Sequence, residues 1–287
     1  LRLQQSHCFG RQRPADRIEP RRFDFVGAGL IALSLGALTW SLSQIGGSPP
    51  RAASTFVSDT LTLAAGVLGL AGLGVYVAWE RVSAHPMTPP RLAHNRAFVG
   101  LNAATLLIYS GLAIMFFLLP FEVVDRRALP AASAGLAFLP FTLGIGLLSQ
   151  FFGSLADKFG PRRMVAAGAV GASAAYILLA LAQGAGLFVA VLAPQTVLGI
   201  SFAVLVAPLT ASVMSSVTTS DEGLASGINN AASRVAQLAG VALAAGLGTL
   251  SSGWQWGLFA AAALSAAGAV MTALPQFTSA TSPLARS

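Results

Sequence analysis

Polar and apolar positions fall in long blocks along this chain. They do not alternate at the period of two that marks a half-buried strand. Runs of about 20 apolar residues recur, which is the length a helix needs to cross about 30 Å of hydrocarbon. Eight such runs are read, at Phe23–Ile45, Phe56–Trp79, Ala97–Phe121, Ala131–Phe152, Met164–Ala182, Leu187–Met214, Gly223–Leu250 and Trp254–Leu274. Breakers separate them: Gly46 to Pro50, a loop from Glu80 to Arg96 with Pro86, Pro89 and Pro90, Gln183 to Gly186, the polar stretch Ser215–Glu222, and Ser251 to Gly253. Gly153–Arg163 is expected as a charged, Gly- and Pro-broken turn between the fourth and fifth runs. Segments of about ten residues with alternating polarity, the mark of an outer-membrane barrel, do not occur. The expected fold is an all-α membrane protein with eight transmembrane helices.

Composition agrees. Of 287 residues, 55% are hydrophobic and 9% charged, against about 25% charged in soluble domains; mean hydropathy is +0.71. The net charge of +7 would suggest nucleic acid in a soluble protein, but topology explains it first and no nucleic-acid partner is expected. Lys and Arg gather in alternate loops: the tail with Arg11, Arg13, Arg17, Arg21 and Arg22, then Arg81, Arg91 and Arg96, then Lys158, Arg162 and Arg163, then Arg286. The other loops hold only Arg51, Arg126 and Arg127. The positive-inside rule then places both termini in the cytoplasm, in a multi-pass plasma (inner) membrane protein in contact with lipid. Trp40, Trp79, Trp254 and Trp256 fall near span ends, where interfacial aromatics belong. Small residues predict close helix packing at Gly66, Gly69, Gly72 and Gly74, and at the GxxxG pair Gly223 and Gly227.

Enzyme chemistry finds no support. Gly27-Ala28-Gly29-Leu30-Ile31-Ala32 matches a dinucleotide fingerprint but sits inside an apolar span. A single cysteine, Cys8, excludes an internal disulfide and a Cys-cluster metal site. His7, His85 and His94 have no metal-ligand spacing, so neither metal nor cofactor is expected.

Helical spacing gathers the remaining polar groups. Gly223, Gly227, Asn230, Arg234 and Gln237 share one face of the seventh span, a stripe too polar for lipid; Arg234 is near the midplane if the helix starts near Gly223, and snorkels to the interface if it enters hydrocarbon only near Ala231. In the third span Asn102, Thr105, Tyr109 and Phe116 share a face; in the sixth, Pro194, Gln195, Gly199 and Phe202 do, with Pro194 and Pro208 as candidate kinks. For each of these, ordinary interhelical hydrogen bonding is the alternative to lining a path.

Gly153-Ser154-Leu155-Ala156-Asp157-Lys158-Phe159-Gly160-Pro161-Arg162-Arg163 resembles the cytoplasmic signature loop of major facilitator superfamily transporters. With Arg22-Phe23-Asp24-Phe25-Val26-Gly27 and the segment from Gly223 to Ala236, the chain looks like part of the fourteen-helix drug–proton antiporter branch. Pro120-Phe121-Glu122-Val123-Val124 departs from the aromatic- and Gln-containing exit that the branch more often has. The resemblance implies an extra helix pair at 23–82, a cytoplasmic loop at 83–96 and a C-terminal six-helix transporter bundle at 97–275; composition adds a basic cytoplasmic linker at 1–22 and a Ser/Thr-rich, disordered cytoplasmic tail at 276–287. It implies a gating loop built on Gly153, Asp157, Gly160, Arg162 and Arg163, with Asp157 docking against a missing N-terminal half and the two arginines pairing with carboxylates or headgroups. The implied activity is efflux of amphipathic organic compounds by proton antiport, with the proton-coupling acids in that missing half. A truncated, non-transporting membrane scaffold is the alternative expectation.

Overall fold

The computed structural model describes residues 24–47, 56–83, 90–248 and 252–274. The tails and the 48–55 loop, on which several expectations rest, lie outside the described residues. The order is α1 (Phe25–Gly47), α2 (Phe56–Val82), a one-turn α3 (Pro90–Ala93), α4 (Arg96–Phe121), a π-helical turn (Glu122–Arg126), α5 (Ala131–Ala137), α6 (Leu139–Phe159), α7 (Pro161–Leu181), a second π-helical turn (Phe188–Leu192), α8 (Ala193–Ser215), α9 (Glu222–Gly248) and α10 (Gly253–Ala273). The protein is an all-α membrane protein. Six helical stretches among the described residues are long and apolar enough to span a bilayer. Phe25–Ser41 of α1 is apolar as well, and α9 is not among the six, because Asn229, Asn230, Arg234 and Gln237 interrupt it.

Local chemistry sets the helix ends. Asp24 caps α1 by accepting from the Gly27 N–H at 2.8 Å, and its other oxygen accepts from the Trp79 indole at 2.9 Å, tying α1 to the end of α2. These two donors hold the Asp24 carboxyl below its ordinary range. Asn95 caps α4 through Ala97 N at 3.1 Å and Phe98 N at 3.2 Å. Gly160 alone separates α6 from α7: it stands at φ 86°, which favours glycine, and Pro161 opens the next helix. This corrects the expectation of a broken Gly153–Arg163 turn. Gly153 to Phe159 continue α6 for two further turns, so only Gly160 is non-helical. The expected fourth span is also split at Phe138 into α5 and α6. Both π-helical turns adjoin prolines: one follows Pro120, the other precedes Pro194. A proline lacks the N–H of the regular ladder, and the shift to i→i+5 bonds re-pairs the backbone: Ala193 N reaches Phe188 O, and Arg127 N reaches Glu122 O.

The helices from α4 onward pack in the order α6, α8, α7, α10, α4, α9. Lipid supplies no hydrophobic drive between helices, so the seams are made by small residues. A Cβ on Gly199 of α8 would stand 2.7 Å from Phe141 O of α6, and one on Gly144 would stand 2.8 Å from the Gly199 carbonyl carbon. On the α4–α9 seam, Gly240 lies against Ser110 O, and the Ser110 hydroxyl donates to Ala236 O at 2.9 Å. The α1–α2 hairpin closes on Gly66, Gly69 and Gly72 against Ser41, Leu38 and Ser34, whereas Gly74 faces open space. It meets the rest of the molecule through α1 packed on α9. The Gly223–Gly227 pair is a second correction. Among the described residues nothing lies within 4 Å of a Cβ built at either position, so with them the pair makes a smooth open surface and not a packing seam.

Candidate functional site

The structure distributes the polar residues of the long helices between packed seams and one open face. On α4, the Thr105 hydroxyl lies 2.9 Å from Leu101 O and 3.1 Å from Asn229 Oδ1, buried in the α4–α9 seam. Asn102 is half-buried and donates to Phe98 O at 2.9 Å; its Oδ1 has no partner among the described residues. Gln195 of α8 is fully buried. Its amide N–H donates to the Met115 sulfur at 3.5 Å, and its Oε1 is unpartnered among the described residues.

Tyr109 is half-buried and meets Phe202 of α8 edge to face, with ring centroids 6.3 Å apart. Phe202 in turn meets Phe141 at 5.6 Å, Phe141 meets Phe116 at 5.3 Å, and Phe116 meets Phe138 at 5.0 Å. An aromatic cluster therefore joins α4, α6 and α8. Phe138 and Phe141 were not anticipated, since nothing in their own helix distinguishes them from lipid-facing phenylalanines.

α9 carries the open face. Ala225, Ala236 and Ala244 are buried, while Gly223, Gly227, Asn230 and Arg234 are exposed and Gln237 is half-buried. At about 100° per residue the stripe from Gly223 to Gln237 lies on one side of the helix. The exposed Ala239, Leu243 and Gly246 lie on the opposite side. The helix is thus open on a polar side over 223–234 and on an apolar side only over 239–246, since Ala225, in line with Leu243, is buried. Arg234 and Asn230 make no hydrogen bond or ion pair to any described residue.

At the signature loop, Asp157 is exposed at the end of α6, beside a crevice of about 410 Å³ lined by small residues including Gly153, Ala156, Ala207 and Ala211. Arg163 is exposed. Arg162 pairs with no carboxylate among the described residues. Its Nε donates to Thr272 O at 3.0 Å, a cation placed on the last turn of α10, where the helix dipole favours it.

Two ion clusters close the ends of α4, and neither was anticipated. At one end, Arg91 holds the buried Asp221 with Nε–Oδ2 at 2.9 Å and Nη2–Oδ1 at 2.7 Å, while Asn95 donates to Ser216 O at 2.7 Å. The Asp221 carboxylate raises the Arg91 pKa. At the other end, Glu122 is buried between Arg126 at 3.2 Å and Arg127 at 3.1 Å, and Arg127 also donates to Ala185 O and Gln183 O, both at 3.1 Å.

Residues 101–284 match the model of the Major Facilitator Superfamily. The chain belongs to this superfamily. Among similar proteins, the Lincomycin resistance protein of Streptomyces lincolnensis is 29% identical over 227 residues, 78% of this chain and 45% of that protein. A Multidrug resistance protein B homolog of Mycobacterium tuberculosis is 30% identical over 182 residues, 63% of this chain and 30% of its own length. A Triacylglyceride transporter of Mycolicibacterium smegmatis is 26% identical over 272 residues, 91% and 47% of the two chains. The chain thus spans about half or less of the length of these curated relatives. The superfamily match begins inside α4 and covers the bundle that carries the aromatic cluster, the polar side of α9 and the signature loop.

Proposed function

We propose that this chain forms part of a secondary transporter that exports amphipathic organic compounds by proton antiport through alternating access. The observation that carries the proposal is the polar side of α9, with Arg234 at mid-helix, in a bundle of the Major Facilitator Superfamily that also holds an aromatic cluster on α4, α6 and α8. The names of relatives, a lincomycin resistance protein and a multidrug resistance protein homolog, agree with efflux. In this reading all eight long helices cross the plasma membrane, and both chain ends are cytoplasmic. α1 and α2 are the extra pair of the fourteen-helix branch, followed by the six-helix bundle. Asn102, Thr105, Tyr109, Gln195, Asn230, Arg234 and Gln237 belong to the polar path or its supporting seams. Gly153, Asp157, Gly160, Arg162 and Arg163 form a gating element: the exposed Asp157 beside a small-residue crevice leaves room for a helix end of another domain.

The test is transport of a fluorescent amphipathic cation by the full-length gene product in inverted membrane vesicles, with and without an imposed proton gradient. Accumulation that needs the gradient supports the proposal. Accumulation indifferent to the gradient removes proton coupling. No transport at normal membrane levels favours a non-transporting scaffold. Asp157→Asn should leave insertion intact and slow transport; an unchanged rate would reduce the loop to a topology signal.

A further inference from the structure

Among the described residues, the acidic groups sit at helix ends. Asp24 precedes α1, Asp59 lies in the first turn of α2 and Glu80 near its end. Glu122 and Asp125 follow α4, Asp157 ends α6, and Asp221 and Glu222 start α9. Arg234 alone among the cations stands in the interior of a long helix. It follows Glu222 by twelve residues in a helix of 27, about 18 Å along the axis at about 1.5 Å per residue. A guanidinium at that depth carries an insertion cost of about 2.5–3.5 kcal/mol, and an uncompensated charge is retained where an anion meets it. Among the described residues no carboxylate pairs with Arg234.

The register of the α4–α9 seam says what else lies at that depth. Thr105 is level with Asn229, and Ser110 is level with Ala236. Tyr109, one turn past Thr105, is therefore level with Arg234. At this depth α9 carries a planar cation with two amides, Asn230 and Gln237, one turn to either side, and α4 carries a ring that opens the aromatic cluster to Phe202, Phe141 and Phe116; at about 100° per residue Arg234 stands about 140° around α9 from the seam residue Asn229. The fork of a guanidinium matches the paired oxygens of a carboxylate or phosphate.

We propose that Arg234 is the anion subsite of the path and that the substrates include amphiphiles with an oxyacid head, carboxylate or phosphate, bound on Arg234 with their apolar body toward Tyr109 and Phe202. The inference rests on the transporter reading and names its substrate class. The counter-reading is that Arg234 pairs permanently with a carboxylate of another domain.

Binding of 11-(dansylamino)undecanoic acid and of its primary amide, which differ only in head charge, separates the two. The measurement is dansyl fluorescence with the purified full-length protein in nanodiscs. The acid should bind about tenfold tighter than the amide. Arg234→Ala and the similarly long Arg234→Gln should each erase that preference while leaving amide affinity within about twofold; Arg234→Lys should keep part of it, lacking the planar fork. Equal binding of acid and amide by the unaltered protein overturns the proposal. So does a loss of both ligands on Arg234→Gln, which would make Arg234 a partner of the protein itself. If head-group preference holds while no probe is moved by a proton gradient, the anion subsite stands and the antiport reading falls.

Discussion

α4 and α9 pack along each other, yet they handle charge in opposite ways. α4 is the more buried, and the arginines at its ends are tied into clusters around the buried carboxylates Glu122 and Asp221. α9 puts a cation at its centre, on an open side, with no partner among the described residues. Charges that hold a membrane helix in place belong at its ends, where water and loops supply partners; a charge held in mid-helix without one is a mark of function. Substitutions in the α4 clusters should therefore cost stability, and substitution of Arg234 should cost activity alone.

The largest stability effect is expected from Arg127→Ala. The side chains of Arg127 and Glu122 are 16% and 4% exposed, so the change leaves a buried carboxylate held only by the more exposed Arg126 and should cost about 3 kcal/mol. Unfolding of the purified protein in detergent would measure it; a cost under about 1 kcal/mol would mean that the cluster does not hold the end of α4. Gly199→Leu should follow, at about 1–3 kcal/mol, because its side chain meets the α6 backbone and not a movable side chain. Arg91→Ala should cost about 1–2 kcal/mol, reduced by the 59% exposure of Arg91. Arg234→Ala, measured in the same way, should lie within about 0.5 kcal/mol of zero.

The smallest effect concerns pH. The Gly27 N–H and the Trp79 indole favour the charged form of Asp24 and depress its pKa in the folded protein. The stabilisation they give is present above the ordinary value of 3.8 and is lost as pH falls through the lower folded value. Trp79 fluorescence should change in that acid window, and Asp24→Asn should remove the change. A titration that persists in Asp24→Asn would assign it to another group.

The unequal legibility of α4 and α9 in the sequence has a physical cause. Long apolar runs and breakers such as Gly160-Pro161 are local, so helix order and most boundaries follow from them. The α9 stripe is equally local, since 100° per residue places Asn230, Arg234 and Gln237 together without knowledge of any neighbour. The α4 clusters are not local: Arg91 meets Asp221 across 130 positions, and Arg127 reaches carbonyls 56 and 58 positions away. The Gly223–Gly227 spacing reports a smooth surface but not what covers it, which is why it was expected as a seam. Pro194 was expected as a kink, without any sign that it takes the form of a π-helical turn, and Pro120 entered only as part of a departure from the family's span exit.

The central claim is that the two open sides of α9 differ: the Arg234 side faces a water-filled path and the Ala239 side faces lipid. In Cys8→Ser protein within native membranes, cysteines placed at Asn230 and at Ala239 should react differently with a charged, water-soluble methanethiosulfonate. The account predicts rapid modification at position 230 and little at position 239. Equal rates, or faster modification at 239, would contradict it.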